Sequence, residues 1–172
     1  MKIYLKQPTN SELHYRKEWL ADPETMAYNK GYELELKGYN KKTGTIFRTD
    51  KEMALWYEKW TNNSEKYYAY IFVENITCPI GEIYYYLDSD IYKMGILIQS
   101  KYRGLGFFKQ SMNALFAEAK KHNIKELYDE FEEERSSTYQ AFLAVGFEKV
   151  ETSFITKDNK QVKVVKVKKV LN

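Results

Sequence analysis

Residues 100–108, SKYRGLGFF, place Arg103, Gly104 and Gly106 between an apolar run at 94–98 and an amphipathic stretch from about Gly106 to Lys121. A helix start leaves about four backbone N–H groups unpaired and carries a partial positive charge. Two glycines let the chain turn tightly there, and let a ligand approach the backbone with no Cβ in the way. Arg103 adds a guanidinium. The sum is chemistry for an anion, a phosphate or pyrophosphate. The alternative is an ordinary tight turn with a solvated arginine. The GxxxxGK[ST] spacing of a phosphate-binding loop is absent, and Lys109 and Gln110 stand where the dinucleotide fingerprint needs a third small residue.

Other chemistry is limited by composition. A single cysteine, Cys78, allows no internal disulfide framework and no cysteine-based metal site. His14 and His122 are far apart and read as solvated, so no metal is expected. One cysteine fits a reducing, cytoplasmic setting. The start, MKIYLKQPTN, has no apolar core like a signal peptide's, and no stretch approaches the roughly 20 apolar residues that span a bilayer. No membrane association is expected.

The net charge is +3, unevenly spread: residues 129–134, DEFEEE, hold five acids, and residues 157–169 hold six lysines and one aspartate. Acids beside a site favour cationic ligands. The lysines alternate with valines as on a solvated strand face, so nucleic-acid binding is not expected. Sixteen tyrosines could pack as amphipathic bodies or line a groove.

The elements that would position these groups fit one domain over 1–172. Residues 2–6 alternate as a strand, and NSELHYRKEWL reads as a helix. Asp22-Pro23 would start a second helical piece. Residues 31–48 hold three glycines and no period, the pattern of a long loop. Thr49 and Glu52 have capping-box spacing ahead of another helix. KYYAYIFVE, PIGEIYYYLD and IYKMGILIQ read as neighbouring antiparallel strands. In the next helix Phe108, Met112, Leu115, Phe116 and Ala119 share one face. IKELYDEF, FEKVETSFIT and QVKVVKVKKV are strands around a shorter helix, SSTYQAFLAVG. The last strand breaks its alternation, which a bulge between Val164 and Val165 would repair. The fold class is mixed α/β (α+β): a mostly antiparallel sheet of about seven strands flanked by helices. Edge pairing through the last strand could make a homodimer, although its lysines oppose it.

ILIQSKYRGLGFF resembles motif A of the GCN5-related N-acetyltransferases: a strand, a Q/R-x-x-G-x-G/A turn, then a helix. Arg103 and Gly106 match the first two fixed positions, and Phe108 stands where the family has glycine or alanine. AFLAVGFEKV resembles the family's second signature, a helix ending in Gly-Phe, matched by Gly146 and Phe147. The element order agrees over nearly the whole chain.

The resemblance implies the acyl-CoA N-acyltransferase fold and acetyl-CoA as cosubstrate. Its pyrophosphate would lie on the backbone amides of Arg103, Gly104, Leu105, Gly106, Phe107 and Phe108. Phe108 must then point into the core to spare the phosphates. Two central strands would splay apart, residues 94–98 and 125–130, with pantetheine in the gap against the first. Gly95 would either help that strand bulge or serve in packing. Backbone N–H groups near Ile96 to Ile98 would meet the oxyanion. The reaction would be direct transfer to an amine, which must lose a proton to a base. Glu82 is the first candidate, with Asp129 and Glu130 next. By period two Tyr84 and Tyr86 share the strand face of Glu82; they would either border an acceptor pocket with Asp129 and Glu130 or pack under a helix. The tyrosine that protonates the leaving thiolate in the family falls on Phe142 here, and the family's frequent asparagine on Arg135. Either Tyr139 reaches in, the thiol leaves unaided, or the chain binds coenzyme A with little catalysis. The acceptor would be a small cationic amine or a protein amino group. The alternative is a coenzyme A-binding regulatory or interaction module.

Overall fold

The computed structural model describes residues 2–172. One seven-stranded sheet runs in the order β1-β2-β3-β4-β5-β7-β6. Its strands are β1 (Ile3–Lys6), β2 (Lys66–Val73), β3 (Gly81–Asp88), β4 (Ile91–Ile98), β5 (Glu126–Glu132), β6 (Glu148–Lys157) and β7 (Lys160–Val170). Its helices are α1 (Leu13–Ala21), α2 (Asp50–Thr61), α3 (Phe107–Lys121) and α4 (Ser136–Ala144). The expected mixed α/β fold is what forms.

Two apolar clusters sit on opposite faces of the sheet. Under α3 and α4 pack Ile83, Tyr85, Met94, Met112, Leu115, Leu127, Phe131, Phe142 and Val165. Under α1 and α2 pack Trp19, Leu20, Met53, Tyr68, Tyr70 and Leu97. Residues 83 and 85 face one cluster while 68 and 70 face the other, as a two-residue strand period requires. Most of the tyrosines near the site are spent on this packing: Tyr68 stands edge-on to Trp56 at 4.9 Å between ring centres.

β4 and β5 form the one parallel pair, and a single register contact, Lys93↔Tyr128, joins them. Beyond it the strands part, so the sheet carries a cleft at its middle, as the resemblance implied. β4 itself pairs regularly with β3 from Ile91 to Ile98, so Gly95 makes no bulge. It serves a close approach instead: a Cβ there would overlap the ring and hydroxyl of Tyr84.

Asp22 caps a short second helical piece: its carboxylate accepts from the Glu24 and Thr25 amides at 3.3 and 3.1 Å, its carbonyl accepts from the Met26 amide at 3.0 Å, and a 3-10 turn follows over Ala27–Asn29. Two expectations are corrected. No bulge separates Val164 from Val165, because both are buried, one on each face, and the β5–β7 register runs unbroken through them. The shift lies in β6, between Lys149 and Glu151. The last strand is no edge either: β7 lies between β5 and β6, and the exposed edges are β1 and β6. The edge pairing inferred for a homodimer therefore has no basis in β7.

The uneven charge also resolves. Lys168 meets Glu126 at 3.0 Å, Lys163 meets Glu133 at 2.7 Å and Lys157 meets Glu132 at 2.6 Å. Lysines of the basic tail thus pair Glu132 and Glu133 of the acidic run, and Glu126 just before it.

Candidate active site

The turn between β4 and α3 is held from behind. Arg103 donates from Nε to the Ile98 carbonyl at 2.8 Å, from Nη1 to the Glu24 carbonyl at 3.3 Å and from Nη2 to the Thr25 carbonyl at 2.6 Å. The Ser100 amide donates to the Thr25 hydroxyl at 3.0 Å. The Arg103 amide itself donates to the Ser100 carbonyl at 3.1 Å. Arg103 is therefore a clamp on the turn: three of its five guanidinium N–H groups go to carbonyls of the fold, and its amide, expected to meet the pyrophosphate, is already paired.

The rest of the turn is open. Gly104 and Gly106 have φ of 74° and 81°, the left-handed region that favours glycine, and a Cβ on either would meet nothing within 4 Å. The amides of Gly104, Leu105 and Gly106 donate to no backbone carbonyl among the described residues. Gly106 is the N-cap of α3 and offers no side chain to cap it. The first-turn amides of Phe107, Phe108 and Lys109 thus lack helical partners. The contrast with α2 is direct: Thr49 accepts from the Glu52 amide at 3.2 Å and Glu52 accepts from the Thr49 amide at 2.9 Å. A row of unmet donors facing open space fits a pyrophosphate.

Phe107 is buried. Phe108 turns inward, its ring 5.2 Å from that of Phe142. It takes the core-facing path that sparing a phosphate requires. Leu105 is 61% exposed at the tip of the turn. Ile96 and Ile98 lie on β4 beyond its junction with β5, partly buried against the α3 side of the core. The Ile98 carbonyl is already taken by Arg103.

At the closed end of the cleft is a cavity of about 240 Å³, walled by Tyr84, Tyr86, Lys93, Met94, Tyr128, Asp129, Glu130 and Lys166. Four of the residues expected to border an acceptor meet here: Tyr84, Tyr86, Asp129 and Glu130. Asp129 accepts from the Glu130 amide at 2.8 Å, and among the described residues no cation lies within ion-pair distance of it. Burial pushes its carboxyl up to about 7, against the opposing pull of that amide and of Arg135. Lys93 is held by Asp88 at 2.7 Å, and Lys166 lies over the Tyr128 ring. The two lysines were missed by a reading that expected acids alone. Period two does place Lys93 on the face of Tyr84 and Tyr86, which is the signal that could have found it.

Glu82 lies elsewhere. It is buried beneath α1 and α2, 2.9 Å from Arg16 Nε, and accepts a hydrogen bond from the Tyr68 hydroxyl. Arg16 also lies over the Trp56 ring at 3.9 Å. Burial alone would lower the Arg16 pKa, but the Glu82 charge and nearby tyrosines hold it above its ordinary value. Glu82 is committed to an internal ion pair and does not wall the cavity.

Tyr139 packs against Phe131, 6.0 Å between ring centres. Phe142 is sealed by Phe108, Phe131 and Phe147 at 5.2, 4.9 and 4.9 Å. Among the described residues no cluster of His, Cys, Asp and Glu could hold a metal, and no helix is long and apolar enough to cross a membrane.

The profile of the Acetyltransferase (GNAT) family matches residues 17–147, and the chain belongs to that family. The family's members and the structural neighbours are N-acetyltransferases. No curated protein matches the sequence significantly. Among solved structures, a spermidine N-acetyltransferase from Vibrio cholerae, in complex with CoA and spermine, superposes with a TM-score of 0.80 at 12% identity. That match covers 99% of this chain and 96% of the other. A phosphinothricin acetyltransferase from Sinorhizobium meliloti, in complex with AcCoA, gives 0.76 at 16% identity over 100% and 90%. A ribosomal-protein-alanine N-acetyltransferase from Brucella melitensis gives 0.76 at 14% over 98% and 99%. At such identities the likeness is one of fold.

Proposed function

We propose that the chain transfers an acetyl group directly from acetyl-CoA to a primary amine, with Asp129 as the base. The carrying observation is the unpaired Asp129 carboxyl in the wall of a cleft whose other end is the open amide row of 104–109. The two lie at the ends of the same divergence of β4 from β5, which gives an extended cosubstrate a path between them.

The chemistry needs a neutral amine. Asp129, poised near 7, first takes the ammonium proton; the neutral nitrogen then attacks the thioester carbonyl, and the second proton, on the adduct nitrogen, passes to water as the adduct collapses. The C–N bond forms, the C–S bond breaks, and coenzyme A departs as thiolate. Phe142 has no hydroxyl to protonate that thiolate, and the Tyr139 ring lies against Phe131. The thiolate leaves unaided, which its low basicity relative to an alkoxide permits.

The cavity is smaller than the roughly 300–1,000 Å³ of pockets that take drug-sized ligands. It suits a small amine or the end of a longer chain. Tyr84, Tyr86 and Tyr128 offer ring faces to a cation and Glu130 a carboxylate, so a small cationic amine is the leading acceptor. A protein amino group is the second, since the cavity opens at the surface. The neighbours from Vibrio cholerae and Brucella melitensis, named for a polyamine and for a ribosomal protein, lend support to each.

Titration calorimetry of acetyl-CoA, with Gly106→Trp alongside, tests the cofactor half. The indole would project into open space, so the variant should fold and lose binding. An amine screen following thiol release tests the other half. Binding without acceleration by any amine would favour a coenzyme A-binding module, the second reading that the sealed Phe142 supports. No binding at millimolar acetyl-CoA would end both.

A further inference from the structure

Phe142, at the tyrosine position of the second signature, offers no hydroxyl to the reacting centre. Three tyrosines wall the cavity, and one of them, Tyr84, reaches it across β4 from the opposite side. Tyr84 on β3 pairs with Gly95 on β4, and a Cβ at 95 would overlap the Tyr84 ring and hydroxyl. The tyrosine therefore lies across β4, and glycine is what lets it do so. Gly95 is two residues past the Lys93↔Tyr128 junction, where β4 first loses β5. The Tyr84 side chain walls the cavity together with Asp129.

Its ring is fixed by Trp60 edge-on at 5.2 Å and by Tyr68 stacked at 6.4 Å. Its hydroxyl has no hydrogen-bond partner among the described residues, whereas those of Tyr68, Tyr70, Tyr39 and Tyr57 all donate to oxygens within the protein. A fixed, unpartnered donor beside a base is what a developing oxyanion requires.

We infer that the Tyr84 hydroxyl, let through to the cleft by Gly95, donates a hydrogen bond to the thioester carbonyl oxygen as it gains negative charge. The assignment rests on the acetyl-transfer reading above. Burial, then the charges of Glu82, Tyr28 and Asp129, hold the phenol above its ordinary pKa, so it keeps its proton. It acts as a donor to oxygen, and is too weak an acid to protonate the thiolate. No proton changes hands at Tyr84. The amine proton still goes to Asp129.

The first test needs no acceptor. Acetyl-CoA labelled with ¹³C at the thioester carbonyl is bound to the wild type and to Tyr84→Phe, and the carbonyl stretch is read by difference infrared spectroscopy. The expected result is a shift to lower wavenumber in the wild type and a return toward the free value in Tyr84→Phe, with the binding constant within about twofold. An unshifted carbonyl in the bound wild type overturns the inference and leaves the transferase reading standing. Failure to bind acetyl-CoA at all ends the transferase reading itself.

A double-mutant cycle supplies the kinetic arm, using the best amine from the screen. Tyr84→Phe should lower kcat about 10²- to 10³-fold with little change in KM for either substrate, as loss of one oxyanion donor does. Gly95→Ala should do the same by displacing the ring. The double variant should be no worse than the poorer single one, because both act through one hydroxyl. Additive losses, or a kcat for Tyr84→Phe within about twofold of wild type, would count against the assignment. Circular dichroism and thermal midpoints confirm that the variants are folded.

Discussion

Glu82 and Asp129 are both sheltered carboxylates on strands of one sheet, and their surroundings set them apart. Beneath α1 and α2 the acid is met on several sides: Arg16 at 2.9 Å, the Tyr68 hydroxyl, and an aromatic floor. In the β4–β5 cleft the acid has one amide and an open cavity. The first arrangement spends its charge on holding two helices to the sheet. The second leaves its charge available, at the expense of stability. The helix starts repeat the pattern. The donors of α2 are closed by a capping box, and those of α3 open to space. The open amides of the α3 start and the Asp129 carboxyl without a cation both border the β4–β5 cleft.

The comparison can be broken most sharply at Asp129. Asp129→Asn should reduce kcat about 10²- to 10⁴-fold with acetyl-CoA binding retained, measured by stopped thiol-release assays. In the wild type kcat should rise as pH passes upward through about 7, since only the ionised carboxylate accepts the proton. The variant should show no such step.

Glu82 should behave in the opposite way. Glu82→Ala strands the buried Arg16 charge and should cost about 3–5 kcal/mol in urea unfolding. The folded fraction should still bind acetyl-CoA. A loss of kcat in Glu82→Gln with unchanged stability would reverse the two roles.

The stability of Asp129→Asn sharpens the same contrast. The folded carboxyl titrates near 7 against a reference value of 3.8. Between those values the folded state holds the extra proton, so wild-type stability falls as pH rises through 7. The asparagine variant should therefore melt a few degrees above wild type at pH 8 and show little difference near pH 4. An equal gain at both would mean that the buried charge is not the cause.

At the turn, Gly106→Ala forces a side chain into the left-handed region, costing about 1–2 kcal/mol. It should weaken acetyl-CoA about tenfold as the amides shift. The smallest effect belongs to the surface. Lys163→Ala removes one of two lysines on Glu133, and the urea midpoint should stay where it is.

Much of this was legible in advance, and the reasons are local. Alternation in residues 2–6 and the helical face from Phe108 to Ala119 come from periods of two and 3.6, which neighbouring residues alone impose. The capping box at Thr49 and the glycine turn at 104–106 are contained within a few residues. Asp22-Pro23 carries the residue types of a helix start and caps a short turn, but only the fold shows that Thr25 in that turn holds Ser100 and Arg103 through its hydroxyl and carbonyl. The misreading in the last strand is equally instructive. Val164 and Val165 look like a broken alternation only if one face of β7 is assumed to be wet.

What the amino-acid sequence determined by itself was the set of elements, the family signatures, and the glycine turn before α3, because each depends on residues close together along the chain. Which carboxylate is paired and which is left open was decided only in three dimensions. Arg16 reaches Glu82 across 66 positions, while Asp129 meets no cation because β5 parts from β4 at that level. Burial and charge pairing are properties of neighbours in space, and those neighbours are chosen by how the sheet opens.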